Sequence, residues 1–285
     1  MHDLINTFIY YNWMCLVADH TLDYTSEYYR SAGISRLCED KDLSKVEQIK
    51  DGDLIFVKTD YLKNRTFQAQ IMPLINVPFS IISGCSSYTV DDYESIINNP
   101  NLIKWYCTNP PIRHDKVVGL PIGFEEKERA GGDQKIIQDC FYSVYDNKKD
   151  KILLPYHTIS NNPDRDAAIN HLRSLSIVEV QEEKLPFKEY LELLTQYKWC
   201  ICLEGAGYDT HRNYECLLAH TVPIMLDTNV RMIYEDWNLP SVFVNSWHDI
   251  GESFLEDNPT QDFDLGVVER FLKTKSHMDR ILSDG

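Results

Sequence analysis

The chain lacks long apolar runs and is poor in basic residues. No stretch reaches the ~18 apolar residues of a transmembrane helix, and no basic segment introduces an apolar one near the first residue, as a secretory signal would need. Lysine and arginine number 28 against 44 acidic residues, a formal net charge of −16. Nucleic-acid binders normally carry a basic face, and anionic lipid would repel this chain. We therefore expect a soluble, cytoplasmic protein with neither nucleic acid nor membrane as a partner.

The sequence also lacks the motifs of several common cofactor sites. It has no G-x-G-x-x-G dinucleotide fingerprint and no G-K-[ST] of a P-loop, which disfavours nicotinamide and ATPase chemistry. Its eight cysteines include no C-x-x-C pair typical of structural zinc. We expect the thiols of Cys200 and Cys202 to face opposite ways along the predicted strand. We expect buried, reduced cysteines rather than a disulfide framework.

The segment at 199–226, WCICLEGAGYDTHRNYECLLAHTVPIML, has the layout of a strand, a turn, a helix and a second strand. The apolar residues 199–203 are short enough for a buried parallel strand. Gly205 and Gly207 would let a ligand approach the backbone closely. Apolar residues resume at 222–226, which predicts the second buried strand.

The charged residues of this segment fall at the predicted start of the helix. Asp209 or Thr210 can cap a helix that begins near His211, and its amide groups and dipole favour a bound anion. Arg212 then lies in the first turn, and Glu215 follows on the same face. An arginine beside phosphate and a carboxylate beside ribose hydroxyls would suit a sugar nucleotide. The same charges also suit an ordinary solvated connection, and the pattern alone leaves both interpretations open.

Strands alternate with helices along the whole chain, which predicts two α/β domains with parallel sheets. Ligands of such sheets bind at the carboxyl ends of the strands. The polar stretch 125–151 separates a domain at 1–145 from one at 146–285. The predicted strands lie within 7–17 (ending at Asp19-His20) and at 54–57, 79–82, 102–106, 117–124, 151–155, 177–180, 199–203, 222–226 and 242–244. Helices are predicted at 24–31, 65–74, 91–98, 162–172, 186–196 and, as a closing helix, within 265–282.

Several residues of the segment at 199–226 form a recognisable pattern: Glu204-Gly205, Asp209, His211-Arg212, Glu215 and Val222-Pro223. This pattern resembles the C-terminal half of exostosin-like glycosyltransferases, and is most similar to small exostosin-like transferases of large algal DNA viruses. The segment 103–123, with Asn109 and the run LPIG, is similar to the end of their N-terminal domain.

The resemblance implies a GT-B fold, in which two Rossmann-like domains face a central cleft. The donor nucleotide would lie on the C-terminal domain and the acceptor on the N-terminal one. It also implies an inverting transfer of a sugar, with UDP-xylose favoured as the donor substrate. The acceptor would be an oligosaccharide such as a viral capsid-type N-glycan, with fucose as a candidate acceptor sugar. The protein would be located in the host cytoplasm.

The expected site residues follow from these considerations. Arg165 and Ser160 belong to a second segment that follows a strand and opens a helix, so they join the donor-binding set. An inverting enzyme also needs a base for the acceptor hydroxyl, for which Asp60 ranks first, ahead of Asp19 and His20. The expected donor-binding residues are Arg165, Ser160, Glu204, Gly205, Gly207, Asp209, Thr210, His211, Arg212 and Glu215.

No D-x-D pair directly follows a predicted buried strand, where a metal-dependent GT-A site would hold Mn²⁺ or Mg²⁺. We therefore expect a metal-independent site and no tightly bound cofactor. Two alternatives stay open: a GDP-sugar-dependent fucosyl- or hexosyltransferase, and a catalytically inactive glycan- or nucleotide-binding module. A monomer or a weak homodimer is expected.

Overall fold

The computed structural model describes residues 7–11, 13–22, 35–36, 44–143, 146–157 and 163–283. The chain divides into two compact units. Unit 1 contains Met1–Ile122 and Lys273–Gly285, and unit 2 contains Gly123–Leu272. Each unit is built on a sheet whose paired strands are all parallel, which confirms the predicted α/β class. None of the described helices is both long and apolar enough to cross a bilayer.

Unit 1 has a six-stranded sheet of order β2-β1-β3-β4-β5-β6. Its strands are β1 (His20–Leu22), β2 (Ser35–Arg36), β3 (Asp53–Lys58), β4 (Phe79–Gly84), β5 (Leu102–Cys107) and β6 (Val117–Gly119). Its α-helices are α1 (Thr59–Lys63), α2 (Tyr93–Ile97) and, from the end of the chain, Thr274–Ser283. Short 3-10 helices lie at Trp13–Leu16, Ser44–Gln48 and Met72–Leu74, and a π-helix at Phe67–Ile71.

The central strands of this sheet are apolar on both faces. All six residues of β4 are buried, and so are the four middle residues of β3. Continuous burial is typical of parallel strands that are covered by other elements on both sides. The indole nitrogen of Trp105 finds a partner in this interior, since it donates to Oγ of Ser83 at 2.8 Å.

Unit 2 has a five-stranded sheet of order β11-β10-β9-β7-β8. Its strands are β7 (Lys149–Leu154), β8 (Val178–Val180), β9 (Tyr197–Ile201), β10 (Val222–Leu226) and β11 (Val242–Val244). Its α-helices are α3 (Gln134–Phe141), α4 (Pro163–Arg173), α5 (Phe187–Leu194), α6 (His211–Leu218), α7 (Arg231–Trp237), α8 (Phe254–Asp257) and α9 (Leu265–Leu272). Two 3-10 helices lie at Ala130–Gly132 and Trp247–Asp249.

The division of the chain differs from the expected boundary at 145/146. Helix α3 packs against α5 and α6, so the polar stretch before β7 belongs to unit 2. The predicted closing helix is two helices, α9 and α10 (Thr274–Ser283). Lys273, between them, forms an isolated antiparallel bridge with Phe8, and the amide of Thr274 donates to the carbonyl of Thr7 at 3.0 Å. These contacts attach the end of the chain to unit 1.

The predicted first strand was wrong, and this moves Asp19 and His20. A 3-10 helix occupies Trp13–Leu16, and β1 begins at His20 instead of ending there. Oδ2 of Asp19 accepts from the amide of Leu54 at 2.9 Å, and Nε2 of His20 lies 2.8 Å from Oδ2 of Asp53. Both side chains are thus engaged at the amino ends of β1 and β3, and not at the expected carboxyl ends. The helix predicted at 24–31 lies outside the described residues.

The predicted opposite orientation of Cys200 and Cys202 was also wrong. Their sulfur atoms and that of Cys216 all lie within 4.8 Å of one another. The expectation misapplied the alternation of a strand, because residues two apart, such as Cys200 and Cys202, lie on the same face.

Candidate active site

Helix α6 begins at His211, as the sequence predicted, and follows β9 after a nine-residue connection. Thr210 takes the N-cap position with extended dihedral angles (φ −133°, ψ 153°), but its side chain accepts no helix amide. Its hydroxyl instead donates to Oδ1 of Asn213 at 2.9 Å. Thr210 therefore does not cap the amino end of α6 with its side chain, and the positive end of the helix dipole there favours an anion.

A cavity of about 490 Å³ lies in unit 2 at the carboxyl ends of β7 and β8, beside the start of α6. Its volume is within the usual range of about 300–1,000 Å³ for small-molecule sites. The residues that line it come from the connections after β7 and β8, from a loop before α3, and from α4, α5 and α6. They are Glu125, Ala130, Gly131, Pro155, Tyr156, His157, Arg165, Gln181, Lys184, Leu185, Pro186, Phe187, Tyr190, His211, Arg212 and Glu215.

The guanidinium of Arg212 is fixed by the segment that follows β7. Its Nη1 lies 2.9 Å from Nε2 of His157, and its Nη2 donates to the carbonyl of Tyr156 at 3.4 Å. Burial, followed by the charges of Arg212 and Arg165, lowers the pKa of His157 to about 3. The ring is therefore neutral at ordinary pH and orients Arg212 without adding a second charge. Nε of Arg212 is buried and has no hydrogen-bond partner among the described residues.

Glu215 lies one turn further along α6 and is only 9% exposed. Burial raises its pKa, although the charges of Arg212 and His211 partly oppose this effect. The phenol of Tyr190 lies beside it, and the pKa of Tyr190 is raised well above its ordinary value, first by burial and then by the charge of Glu215. A carboxylate in this position can accept hydrogen bonds from hydroxyl groups of a ligand in the cavity.

His211, the first residue of α6, is held by a backbone carbonyl. Its Nδ1 lies 2.6 Å from the carbonyl oxygen of Gly123. A carbonyl oxygen can only accept, so Nδ1 carries a hydrogen atom. Gly123 has a φ of +73°, a left-handed conformation that glycine adopts without strain. The glycine thus helps to turn its carbonyl towards the ring.

The charges around the cavity contrast with those of the whole chain. Arg165, Lys184 and Arg212 line it, against the carboxylates of Glu125 and Glu215. This excess of positive charge occurs in a protein whose formal net charge is −16. Together with the amino end of α6, this positive charge favours an anionic ligand such as a phosphate or diphosphate.

The structure brings together only part of the expected donor-binding set. Arg165, His211, Arg212 and Glu215 line the cavity. Ser160 lies outside the described residues. The other expected residues do not line the cavity: Glu204, Gly205, Gly207, Asp209 and Thr210.

Two of these other residues have partners that indicate a structural role. Asp209 is buried and accepts from Nδ2 of Asn213 at 3.1 Å and from the hydroxyl of Tyr214 at 2.5 Å. Glu204 accepts from the indole nitrogen of Trp247 at 3.1 Å. At Gly205, a Cβ atom would approach no atom closer than 3.9 Å, so nothing in its surroundings requires a glycine.

The expected set omits His157, Tyr190 and Lys184, although all three line the cavity. His157 could have been found from the sequence, because it follows the predicted strand at 151–155, where ligand-binding residues concentrate. Tyr190 lies inside the amphipathic helix α5 and Lys184 in a connection before it, and their spacing gives no comparable signal.

No protein-family model matches the sequence, and no curated protein sequence matches it significantly. The exostosin-like resemblance therefore has no support from these searches. Three solved structures illustrate the level of structural similarity. The N-terminal domain of Candida albicans trehalose-6-phosphate phosphatase is 13% identical, with 85% of this chain and 74% of that chain aligned and a TM-score of 0.43.

The α,α-trehalose 6-phosphate synthase of Burkholderia multivorans is 8% identical over 90% of this chain and 78% of its own, with a TM-score of 0.39. The UDP-GlcNAc 2-epimerase of Methanocaldococcus jannaschii, solved with UDP-GlcNAc and UDP, is 11% identical. The alignment covers 98% of this chain and 92% of that chain, with a TM-score of 0.35. These similarities are too low to assign a function, so an assignment depends on the chemistry of the cavity.

Proposed function

We propose that the protein is a glycosyltransferase that binds a nucleoside diphosphate sugar in the cavity of unit 2. The observation that carries the proposal is the arrangement of α6. Its amino end, the oriented guanidinium of Arg212 and the buried carboxylate of Glu215 follow one another along the same cavity.

The diphosphate is the part of the donor that this arrangement suits best. Arg212 and Arg165 can donate charge-assisted hydrogen bonds to phosphate oxygens, and the amide groups at the start of α6 add the positive end of a helix dipole. When the sugar is transferred, the negative charge on the leaving diphosphate increases. Fixed donors of this kind stabilise such a developing charge. A metal ion is not required for this step, so we propose a metal-independent transfer.

Glu215 supports the assignment of a ribose-containing ligand. It is three residues from Arg212, and side chains at this spacing share one face of a helix. A ligand with its diphosphate beside Arg212 would bring neighbouring hydroxyl groups near the carboxylate. We assign to Glu215 the role of accepting hydrogen bonds from ribose.

The proposed donor is a UDP-sugar, with UDP-xylose favoured by the exostosin-like resemblance alone, and the proposed transfer is inverting. For the acceptor we propose a glycan. A neutral glycan suits the net charge of −16 better than a sulfated one, which the protein would repel. The capsid-type N-glycan and a viral origin likewise rest on the resemblance.

An inverting transferase needs a base, and our candidate is Asp60 of unit 1. It follows the carboxyl end of β3, and its Oδ2 is buried without a hydrogen-bond partner among the described residues. Nζ of Lys58 lies 3.9 Å from this oxygen. Asp19 and His20 are weaker candidates because both side chains already have hydrogen-bond partners. These partners, Leu54 and Asp53, lie at the amino end of β3.

The test is a release assay with the full-length chain in EDTA. UDP-xylose, UDP-glucose, UDP-GlcNAc and GDP-fucose are incubated with neutral glycan acceptors, and the free nucleoside diphosphate is measured. The proposal expects acceptor-dependent release of UDP. Asp60→Asn should abolish release and retain UDP affinity, whereas Asp91→Asn, at an exposed ion pair with Lys63, should retain both. Binding of nucleotide without release from any donor would indicate an inactive binding module, and unchanged turnover in Asp60→Asn would exclude this base.

A further inference from the structure

Three buried cysteine thiols lie close together at the end of β9 and in α6, the helix that lines the cavity. Cys200 lies in β9, Cys202 just beyond its end, and Cys216 in α6. All three side chains are buried, and their sulfur atoms lie within 4.8 Å of one another. The sulfur atoms of Cys202 and Cys216 are 3.4 Å apart. This trio, which we call the thiol cluster, plays no part in the proposed transfer.

The spacing of the thiol cluster suits a shared metal ion. Zinc–sulfur bonds are about 2.3 Å long, so three sulfur atoms around one ion lie roughly 4 Å apart. The observed separations, from 3.4 Å to at most 4.8 Å, bracket this value. Small movements of the side chains would therefore place all three at bonding distance.

The surroundings also provide a compensating charge. Arg212 is four residues before Cys216 in α6, so the two share a helix face. Three thiolates and a divalent ion carry one net negative charge, which the guanidinium of Arg212 helps to stabilise while it also serves the ligand of the cavity. A buried charge of this kind needs such a partner.

We propose that Cys200, Cys202 and Cys216 bind one thiophilic metal ion, for which Zn²⁺ is our working choice. The three thiols lose their protons when the ion binds, and three metal–sulfur bonds form. Among the described residues, no fourth histidine, cysteine or carboxylate belongs to the cluster. An external ligand would complete the tetrahedral geometry of zinc.

The ion would serve a structural purpose. It would fasten β9 to α6, the helix that carries Arg212 and Glu215, and so hold both side chains in position. It would not contact the diphosphate of the donor, and the proposal is therefore compatible with a metal-independent transfer. The two proposals fail separately, because metal content can be measured without any nucleotide.

The test uses the full-length chain, purified under reducing conditions, stripped with a chelator and then titrated with Zn²⁺ or Co²⁺. The bound metal is counted by elemental analysis after desalting. Cobalt thiolates show a sulfur-to-metal charge-transfer absorption, which reports the ligand type directly. The variant is Cys202→Ala, and the matched control is Cys107→Ala, which removes an equally buried thiol from unit 1. Alkylation of the wild-type chain with and without metal, in enough urea to expose buried thiols to the reagent, shows which thiols the metal protects.

We expect about one Zn²⁺ per chain, thiolate absorption with Co²⁺, protection of the three thiols and a rise in the melting temperature. Cys107→Ala should retain all of these, and Cys202→Ala should lose the metal. If Cys202→Ala does not fold, the wild-type cobalt spectrum and the pattern of protected thiols still decide the matter. Absence of thiolate absorption, equal metal content in both variants, or a disulfide between Cys202 and Cys216 in the reduced preparation would overturn the proposal.

Discussion

Nη1 of Arg212 donates to Nε2 of His157 across 2.9 Å. The two side chains belong to α6 and to the segment after β7, a strand that pairs directly with β9. An arginine can only donate, so the ring must accept with Nε2 and keep its hydrogen on Nδ1. The contact therefore fixes the guanidinium while its positive charge stays available to the cavity.

Arg212→Lys should weaken UDP binding about 10- to 100-fold. Lysine has no planar fork that can contact His157, the carbonyl of Tyr156 and a phosphate together, and each lost charge-assisted hydrogen bond costs about 1.5–3 kcal/mol. Isothermal titration calorimetry gives the affinity. Arg231→Lys, at an exposed arginine paired with Asp227 and Glu235, is the control and should bind UDP like the wild type. Equal affinity in all three proteins would remove Arg212 from the site.

Glu215→Gln should separate binding of the ribose from binding of the phosphates. The variant removes a charged acceptor for hydroxyl groups, so UDP affinity should fall about tenfold. Inorganic pyrophosphate has no hydroxyl groups to contact Glu215, and its affinity should not fall. Competition titrations with both ligands measure the two effects. An equal loss of affinity for UDP and for pyrophosphate would mean that Glu215 maintains the shape or charge of the cavity and does not contact the ribose.

Asp209→Asn should destabilise the fold by about 3 kcal/mol, the usual cost of breaking a buried, charged hydrogen-bond network. Both carboxylate oxygens accept, from Asn213 and from Tyr214, and an amide would turn a donor towards one of them. Urea unfolding measures the change. Asp279→Asn, at an exposed ion pair with Lys275, should cost less than about 1 kcal/mol. If Asp209→Asn is as stable as wild type but fails to bind UDP, Asp209 is a ligand residue after all.

His157 should make stability sensitive to acid. Its folded pKa of about 3 lies below the value of about 6.5 for an unfolded chain. Between these values the unfolded chain binds a proton that the folded chain does not, so stability falls as the pH decreases from about 6.5 towards 3. One proton corresponds to a slope of about 1.4 kcal/mol per pH unit.

His157→Gln keeps an acceptor for Arg212 and removes this proton. Urea unfolding at pH 7, 6 and 5 should therefore show a shallower dependence in the variant, whereas above pH 7.5 the slopes should agree. Identical slopes at pH 5–6 would show that His157 titrates alike in both states.

The part of the site that could be predicted from the sequence is local. Apolar runs and turn residues within one short segment predict three features: the strand before Cys202, the helix start at His211 and the strand at Val222–Leu226. Arg212 and Glu215 follow because their positions on the helix depend only on where it begins. Asp209 was expected at the helix start because a polar residue before a helix is often a cap, whereas in the structure its carboxylate accepts from Asn213 and Tyr214.

What the sequence could not predict depends on contacts between distant residues. The apolar residues before β1 suit a strand equally well, but the ring of Trp13 packs against His277, 5.6 Å away between centroids, near the other end of the chain. The attachment of the last residues to unit 1 likewise depends on contacts between distant parts of the chain. Likewise, Cys216 meets Cys200 and Cys202 only because α6 folds back against the sheet of unit 2, where it contacts β10, and strand periodicity does not encode this.

The measurement that we would make first is calorimetric titration of the full-length protein with UDP, GDP and ADP in EDTA. The glycosyltransferase proposal predicts that one UDP binds per chain without metal, more tightly than GDP or ADP, and that Arg212→Lys weakens this binding at least tenfold. Absence of binding by any of the three nucleotides, or equal UDP affinity in the wild type and Arg212→Lys, would contradict a nucleotide-sugar site in this cavity.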